Sequence, residues 1–169
     1  MANNSVKFEF DLSAVKGLQD TLAGIAEDVR ANVVADMVHE GAKPVVRSIK
    51  RMTPVRLGNL RESITSAVRK NKTKGTAVAV VGPEVGARFA SGRKLNKKTD
   101  DLSGSEQPAR YAHLVEFGNA NRGGGETPAK PFMRPGTDAA KSECAAALLV
   151  GFQKGLTRAA KRYAKQSSK

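Results

Sequence analysis

Apolar and charged residues alternate along Val6-Lys-Phe-Glu-Phe-Asp11, the period of a short half-buried strand. Ser13 then stands as a helix cap. Beyond it Val15, Leu18, Leu22, Ile25, Val29, Val33 and Met37 recur at steps of three and four, and Val45 and Ile49 extend the stripe less regularly. This is the period of an amphipathic helix. Gly24, Gly41 and Pro44 interrupt the stripe, so the pattern predicts one long helix with a bend or break, or two helices end to end. It finishes near Met52, before Pro54.

Thr53 to Ser63 reads as a turn followed by a short helix. Ile64 to Arg69 and Thr76 to Val81 are strand-like, and the Lys70-Asn-Lys-Thr-Lys-Gly75 stretch between them has hairpin chemistry. Pro83 to Pro108 carries little pattern and many cations, which predicts a long basic surface loop that a partner could order. Arg110 to Phe117 is a short apolar segment, followed by the glycine-rich run Gly118 to Gly125. A last helix is expected from about Thr137 to Lys165, with Ala145, Leu148, Phe152, Leu156, Ala159 and Tyr163 as its apolar stripe. The resulting fold class is α+β: long first and last helices packed on a small antiparallel sheet. Residues 1–165 are expected to form a single domain, with 83–108 as the loop and 166–169 as a flexible tail.

Composition narrows the function classes. With 169 residues the chain can bury a core without staples. Aromatic residues make up only 5% and tryptophan is absent, so aliphatic side chains must build that core. Cys144 is the single cysteine and cannot form an internal disulfide, which fits a reducing cytoplasm. No secretory signal and no stretch of about 18 apolar residues is visible, so no membrane partner is expected. The net charge of +13 is the strongest bulk signal and points to nucleic acid or acidic partners. The cations gather at the hairpin tip (Lys72 and Lys74, with Arg69 and Lys70), in the long loop (Arg93, Lys94, Lys97, Lys98) and on the last helix (Arg158, Lys161, Arg162, with Lys154 and Lys165). On the helix they are expected to form one solvated face opposite the apolar stripe. These are the candidate docking or DNA-facing residues.

Catalytic constellations are missing. His113 and Glu116 lie three apart, but two ligands do not make a metal site, and His39 has only Asp36 and Glu40 nearby. Cys144 sits among alanines, as a small core residue does. Gly123 to Gly125 lacks the lysine–serine pair and preceding strand of a phosphate-binding loop, and no serine or threonine has a nucleophile-elbow context. The expectation is a non-enzyme with no cofactor and no metal.

Three segments carry a family resemblance: Thr53-Pro-Val-Arg-Leu-Gly-Asn-Leu-Arg-Glu-Ser-Ile64, Tyr111-Ala-His-Leu-Val-Glu-Phe-Gly118, and Thr127-Pro-Ala-Lys-Pro-Phe-Met-Arg-Pro135 leading into a long helix. In this order they resemble a family of long-tailed phage tail components, the relatives of gene product ten of Hong Kong 97-type phages. The matching positions are Gly58, Leu60, Tyr111, Glu116, Gly118, Pro131, Phe132, Arg134 and Pro135. Among them, Gly118 suits a sharp turn and Pro135 a first helical turn. Phe132 suits an apolar plug, and Glu116 with Arg134 a charge pair.

The resemblance implies a structural virion protein for tail completion or head–tail joining at the neck. It would form a homo-oligomeric ring, with the connector, terminator and tail tube as partners, and lie close to genomic DNA. It would be assembled in the host cytoplasm. A tail terminator and a head–tail adaptor or stopper are neighbouring readings; a basic DNA-binding accessory protein is the alternative of another class.

Overall fold

The computed structural model describes residues 6–7, 27–120 and 125–167. The expected strand beyond Lys7, the cap at Ser13, the stripe from Val15 to Ile25 and residues 121–124 lie outside them. The elements in chain order are β1 (Val6–Lys7), α1 (Glu27–Met52), α2 (Asn59–Ser63), β2 (Ile64–Asn71), β3 (Thr76–Pro83), β4 (Arg88–Ala90), β5 (Arg93–Leu95), α3 (Pro108–Phe117), β6 (Asn119–Ala120), β7 (Glu126–Thr127) and α4 (Met133–Ser167). The fold is α+β, as the pattern predicts. Strands β1, β3 and β2 form one sheet in that order, while β4–β5 and β6–β7 are separate antiparallel pairs.

Contacts divide the chain into two compact units. One comprises Met1–Val6, Val45–Ser66 and Val81–Lys141; the other comprises Lys7–Pro44, Ala67–Val80 and Ser142–Lys169.

In the second unit, α1 and α4 pack antiparallel through small residues. A Cβ on Gly151 would lie 2.6 Å from the Met37 Cα, one on Gly155 would lie 3.0 Å from the Val33 Cα, and one on Gly41 would lie 2.6 Å from a Leu148 methyl. Glycine therefore lets the two backbones approach closer than any side chain would allow. Ala31, Val33, Met37, Val38, Ala42, Cys144 and Leu148 fill the surrounding core. Helix α1 is continuous across Gly41 and Pro44, which removes a break at either of them; the third interruption, Gly24, lies outside the described residues.

The buried stripe of α4 also differs from the expected one. Cys144, Leu148, Gly151 and Gly155 face inward, whereas Ala145 is exposed and Phe152, Leu156 and Ala159 are only half-buried. Ranking positions by hydrophobicity passes over glycine, and here the glycines mark the seam. The helix also runs to Ser167, past the expected end at Lys165.

In the first unit, Val45, Ile49, Leu60, Ile64, Val81, Phe89, Leu95, Phe132 and Met133 form the core. Gly136 sits against Ile49, where a Cβ would lie 2.7 Å from the Ile49 Cα. The expected long basic loop is corrected here. Residues 88–95 form a hairpin with Phe89 only 2% exposed and Leu95 buried. Phe89 also exchanges main-chain hydrogen bonds with Glu106, each 2.9 Å. Two isolated apolar residues anchor the segment, and they are too few to register as a period against the surrounding cations. No helix among the described residues is long and apolar enough to cross a membrane.

Candidate functional site

Thr53 ends α1 by turning both its N–H (2.9 Å) and its hydroxyl (2.7 Å) onto the Ile49 carbonyl. Pro54 cannot prolong the helix, and the chain leaves in a turn that presents Val55, Arg56 and Leu57 to solvent. Gly58 takes a left-handed conformation (φ 77°) and opens α2. Its Cα face abuts Gly92 at the β4–β5 turn, where a Cβ would stand 3.3 Å from the Gly92 Cα. At both positions the left-handed backbone (φ 77° and 73°), more than lack of space, favours glycine.

Asn59 and Glu106 lock this turn to the rest of the first unit. The Gly92 N–H donates to Asn59 Oδ1 at 2.7 Å, and Asn59 Nδ2 donates to Glu106 Oε2 at 3.0 Å. The Tyr111 hydroxyl donates to the same Glu106 oxygen at 3.0 Å. The Asn59 amide chiefly holds the Glu106 carboxyl below its usual range, opposed by burial and aided by Tyr111 and the Arg56 charge. Burial, then the bond to Glu106, pushes the Tyr111 hydroxyl up. Gly58, Leu60 and Tyr111 are thus brought together through two residues that the motif reading missed. Asn59 lay inside the motif, between two matched positions; Glu106 had no signal beyond being an acid just before Pro108.

A groove of about 540 Å³ opens beside this network. The 54–60 turn lines one side, Leu114 and Val115 of α3 another, and Asn119, Thr127, Pro128 and Lys130 the rest. Its rim is apolar and open: Val55 is 60% exposed, Leu57 52% and Leu114 36%. Phe117, at the end of α3, is 63% exposed. Large apolar side chains grouped in this way mark a surface that another molecule covers.

Glu116 has a different role from the expected charge pair with Arg134. Its carboxylate accepts the main-chain N–H groups of Phe132 (2.7 Å), Met133 (3.0 Å) and Arg134 (3.4 Å), capping α4 from a distant helix. A carboxylate at a helix N-terminus satisfies orphan donors and meets the positive end of the dipole. The Arg134 guanidinium instead lies over the Phe117 ring, 5.9 Å from its centroid. Phe132 is fully buried, Pro131 is exposed, and Pro135 sits in the first turn of α4. Gly118 (φ 75°) lets the chain pass under Thr127 and Ala129, where a Cβ would stand 2.7 Å from the Thr127 carbonyl oxygen. Lys130 N–H closes this crossing onto the Val115 carbonyl at 2.8 Å.

The basic candidates separate into paired and unpaired groups. Arg93 pairs with Asp100, Lys94 with Glu84 and Arg158 with Asp36. Lys154 pairs with Glu40. Lys154 and Arg158 therefore flank the α1–α4 seam, which corrects the expectation of one solvated face opposite the stripe. Lys72, Lys74, Lys97, Lys98, Lys161 and Arg162 are exposed. Among the described residues no group of three or more His, Cys, Asp or Glu could hold a metal ion.

Residues 16–118, well over half of the chain, match a family model described as "Bacteriophage HK97-gp10, putative tail-component". The matched span takes in Gly58, Leu60, Tyr111, Glu116 and Gly118, while Pro131 to Pro135 falls beyond it. No curated protein and no solved structure matches the chain.

Proposed function

The chain belongs to the HK97-gp10-like family of bacteriophage tail components, and from that premise we propose that it completes the tail at the neck, working through protein–protein interfaces in a homo-oligomeric ring. The observation that carries this reading is the apolar rim of Val55, Leu57 and Leu114, which stands beside the Gly58–Asn59–Glu106–Tyr111 lock. The lock holds the rim rigid, so little conformational entropy is lost when a neighbour covers it. Docking places connector, terminator or tail-tube subunits against this rim, and the reading requires no bond to be made or broken. The protein ends in the virion after assembly in the host cytoplasm.

Gold labelling of a surface tag on intact virions and on separated tails tests the placement. Label confined to the head-proximal end of the tail is expected. Label along the tube or at the distal tip would overturn the neck assignment. Native mass measurement of the purified protein and of tail ends tests the ring. Arg56 and Lys130, which line the same groove, predict assembly that weakens with salt, and association unchanged between low and high salt would contradict charge-assisted docking.

A further inference from the structure

Two stretches of the second unit contain no acidic residue at all: Ala67–Val80, with four cations, and everything from Cys144 to Lys169, with six. The fold moors both along the same part of α1. Lys70 Nζ donates to Asn32 Oδ1 at 2.8 Å, and Gly75 (φ 61°) closes the hairpin against the Arg30 side chain. Gly155 lies on Val33, and Arg158 pairs with Asp36. The acids of α1 thereby take up Lys154 and Arg158, and Asn32 takes Lys70. Among the described side chains of the two stretches five cations remain: Arg69, Lys72 and Lys74 on the hairpin, Lys161 and Arg162 on α4. All five are exposed and have no hydrogen-bond or ion-pair partner among the described residues. The hairpin turn is ordered, because Lys74 N–H donates to Asn71 Oδ1 at 3.1 Å.

We infer that these five residues form a binding surface for the phosphate backbone of nucleic acid, read without regard to sequence. The chemistry of the surface separates this partner from an acidic protein. The tip, Asn71-Lys-Thr-Lys-Gly75, offers no apolar or aromatic anchor, and among the described side chains of α4 the immediate neighbours of Lys161 and Arg162 in sequence are Ala159 and Ala160. Protein interfaces draw their energy from buried aromatic and apolar anchors and are depleted in lysine. Phosphate binding needs only positioned cations and gains from the release of condensed counterions. The apolar rim of the first unit has the anchors that this surface lacks, so the two surfaces suit different partners. This inference rests on the charge arrangement alone and stands apart from the neck placement.

Fluorescence anisotropy with a labelled duplex of about 20 bp, titrated between roughly 50 and 200 mM salt, tests it directly. Five phosphate contacts predict a slope of log affinity against log salt of about −4.5. Lys72→Glu with Lys74→Glu, and separately Lys161→Glu with Arg162→Glu, should each flatten the slope by roughly 2 and weaken binding more than tenfold at low salt. Lys97→Glu with Lys98→Glu, exposed cations of the first unit, should leave both nearly unchanged. A wild-type slope shallower than about −2 would overturn the assignment, as would an equal loss in the Lys97/Lys98 variant, which would mean diffuse charge attraction. Displacement of the duplex by poly-glutamate as readily as by unlabelled DNA would also overturn it, in favour of an acidic protein partner. Circular dichroism of each variant separates lost binding from lost fold.

Discussion

Glu116 and Phe132 meet across sixteen residues of sequence: the Glu116 carboxylate accepts the Phe132 main-chain N–H at 2.7 Å, and the Phe132 ring is fully buried. One contact thus starts the last helix and seats its apolar plug. Glu116→Ala leaves up to three donors without an acceptor and should cost on the order of 3 kcal/mol. Glu116→Gln keeps an oxygen but loses the charge, and about half that cost is expected. Urea unfolding of both variants measures the difference. Equal losses would show that the charge, which both variants remove, sets the cost, and not the number of acceptor oxygens left.

The glycine seam makes a sharper test of packing. Gly151→Ala drives a methyl group into the Met37 backbone, and Gly136→Ala drives one into that of Ile49. Each should destabilise by about 1–3 kcal/mol, since backbone cannot yield as a side-chain end can. Gly82→Ala meets nothing within 4 Å and should be neutral or slightly stabilising. A thermal-melt series over the three variants checks the order.

Glu106 should shape the acid limb of stability. Its carboxyl is held below the ordinary value of 4.5, first by the Asn59 amide. The folded state therefore keeps the ionised form, while the unfolded chain takes up protons more readily. The stabilisation is fully present above 4.5 and is lost as pH falls below it toward the depressed folded-state value. Glu106→Gln should lower stability at neutral pH and flatten its decline below 4.5, so that the two curves converge in acid. Parallel curves would refute the linkage.

Cys144 is fully buried, and that burial pushes its thiol up to about 11. The thiolate is the reactive form, so a disulfide reagent near neutral pH should label the native protein very slowly and the urea-unfolded protein at once. Fast labelling without denaturant would mean that the α1–α4 seam opens readily.

On the apolar rim, Val55→Asp and Leu57→Asp should barely change stability, because both side chains are more than half exposed to solvent. Incorporation into tails should fall sharply, as read by immunoblot of purified particles. Normal incorporation of both would remove the rim from the docking surface.

Much of the fold was legible in one dimension. The stripe Val33–Met37–Ile49 placed α1, and the runs on either side of Lys70–Gly75 placed the β2–β3 hairpin, because both are periodic local signals. The β4–β5 hairpin was not legible, since it rests on Phe89 and Leu95 meeting a distant core and on the Phe89–Glu106 bridge. At the site, Gly58 and Tyr111 stood out as motif residues, while Asn59 and Glu106 did not. Their importance is a hydrogen bond across forty-seven residues, which no local pattern records.

The sequence by itself determined the α+β class, the concentration of cations and the kinship with phage tail components, because periodicity, charge and motif order are properties of the chain before it folds. Only the tertiary structure decided which cations are spent on Asp36, Glu84 and Asp100 and which stay free. It also turned Glu116 from a charge partner into a helix cap and Gly151 and Gly155 from interruptions into a seam. Those outcomes depend on which surfaces meet, and that is set by packing over long sequence separations. The basic candidates are the clearest case: ten cations in two acid-free stretches were visible from the start, and folding alone sorted those it pairs from those it leaves in solvent.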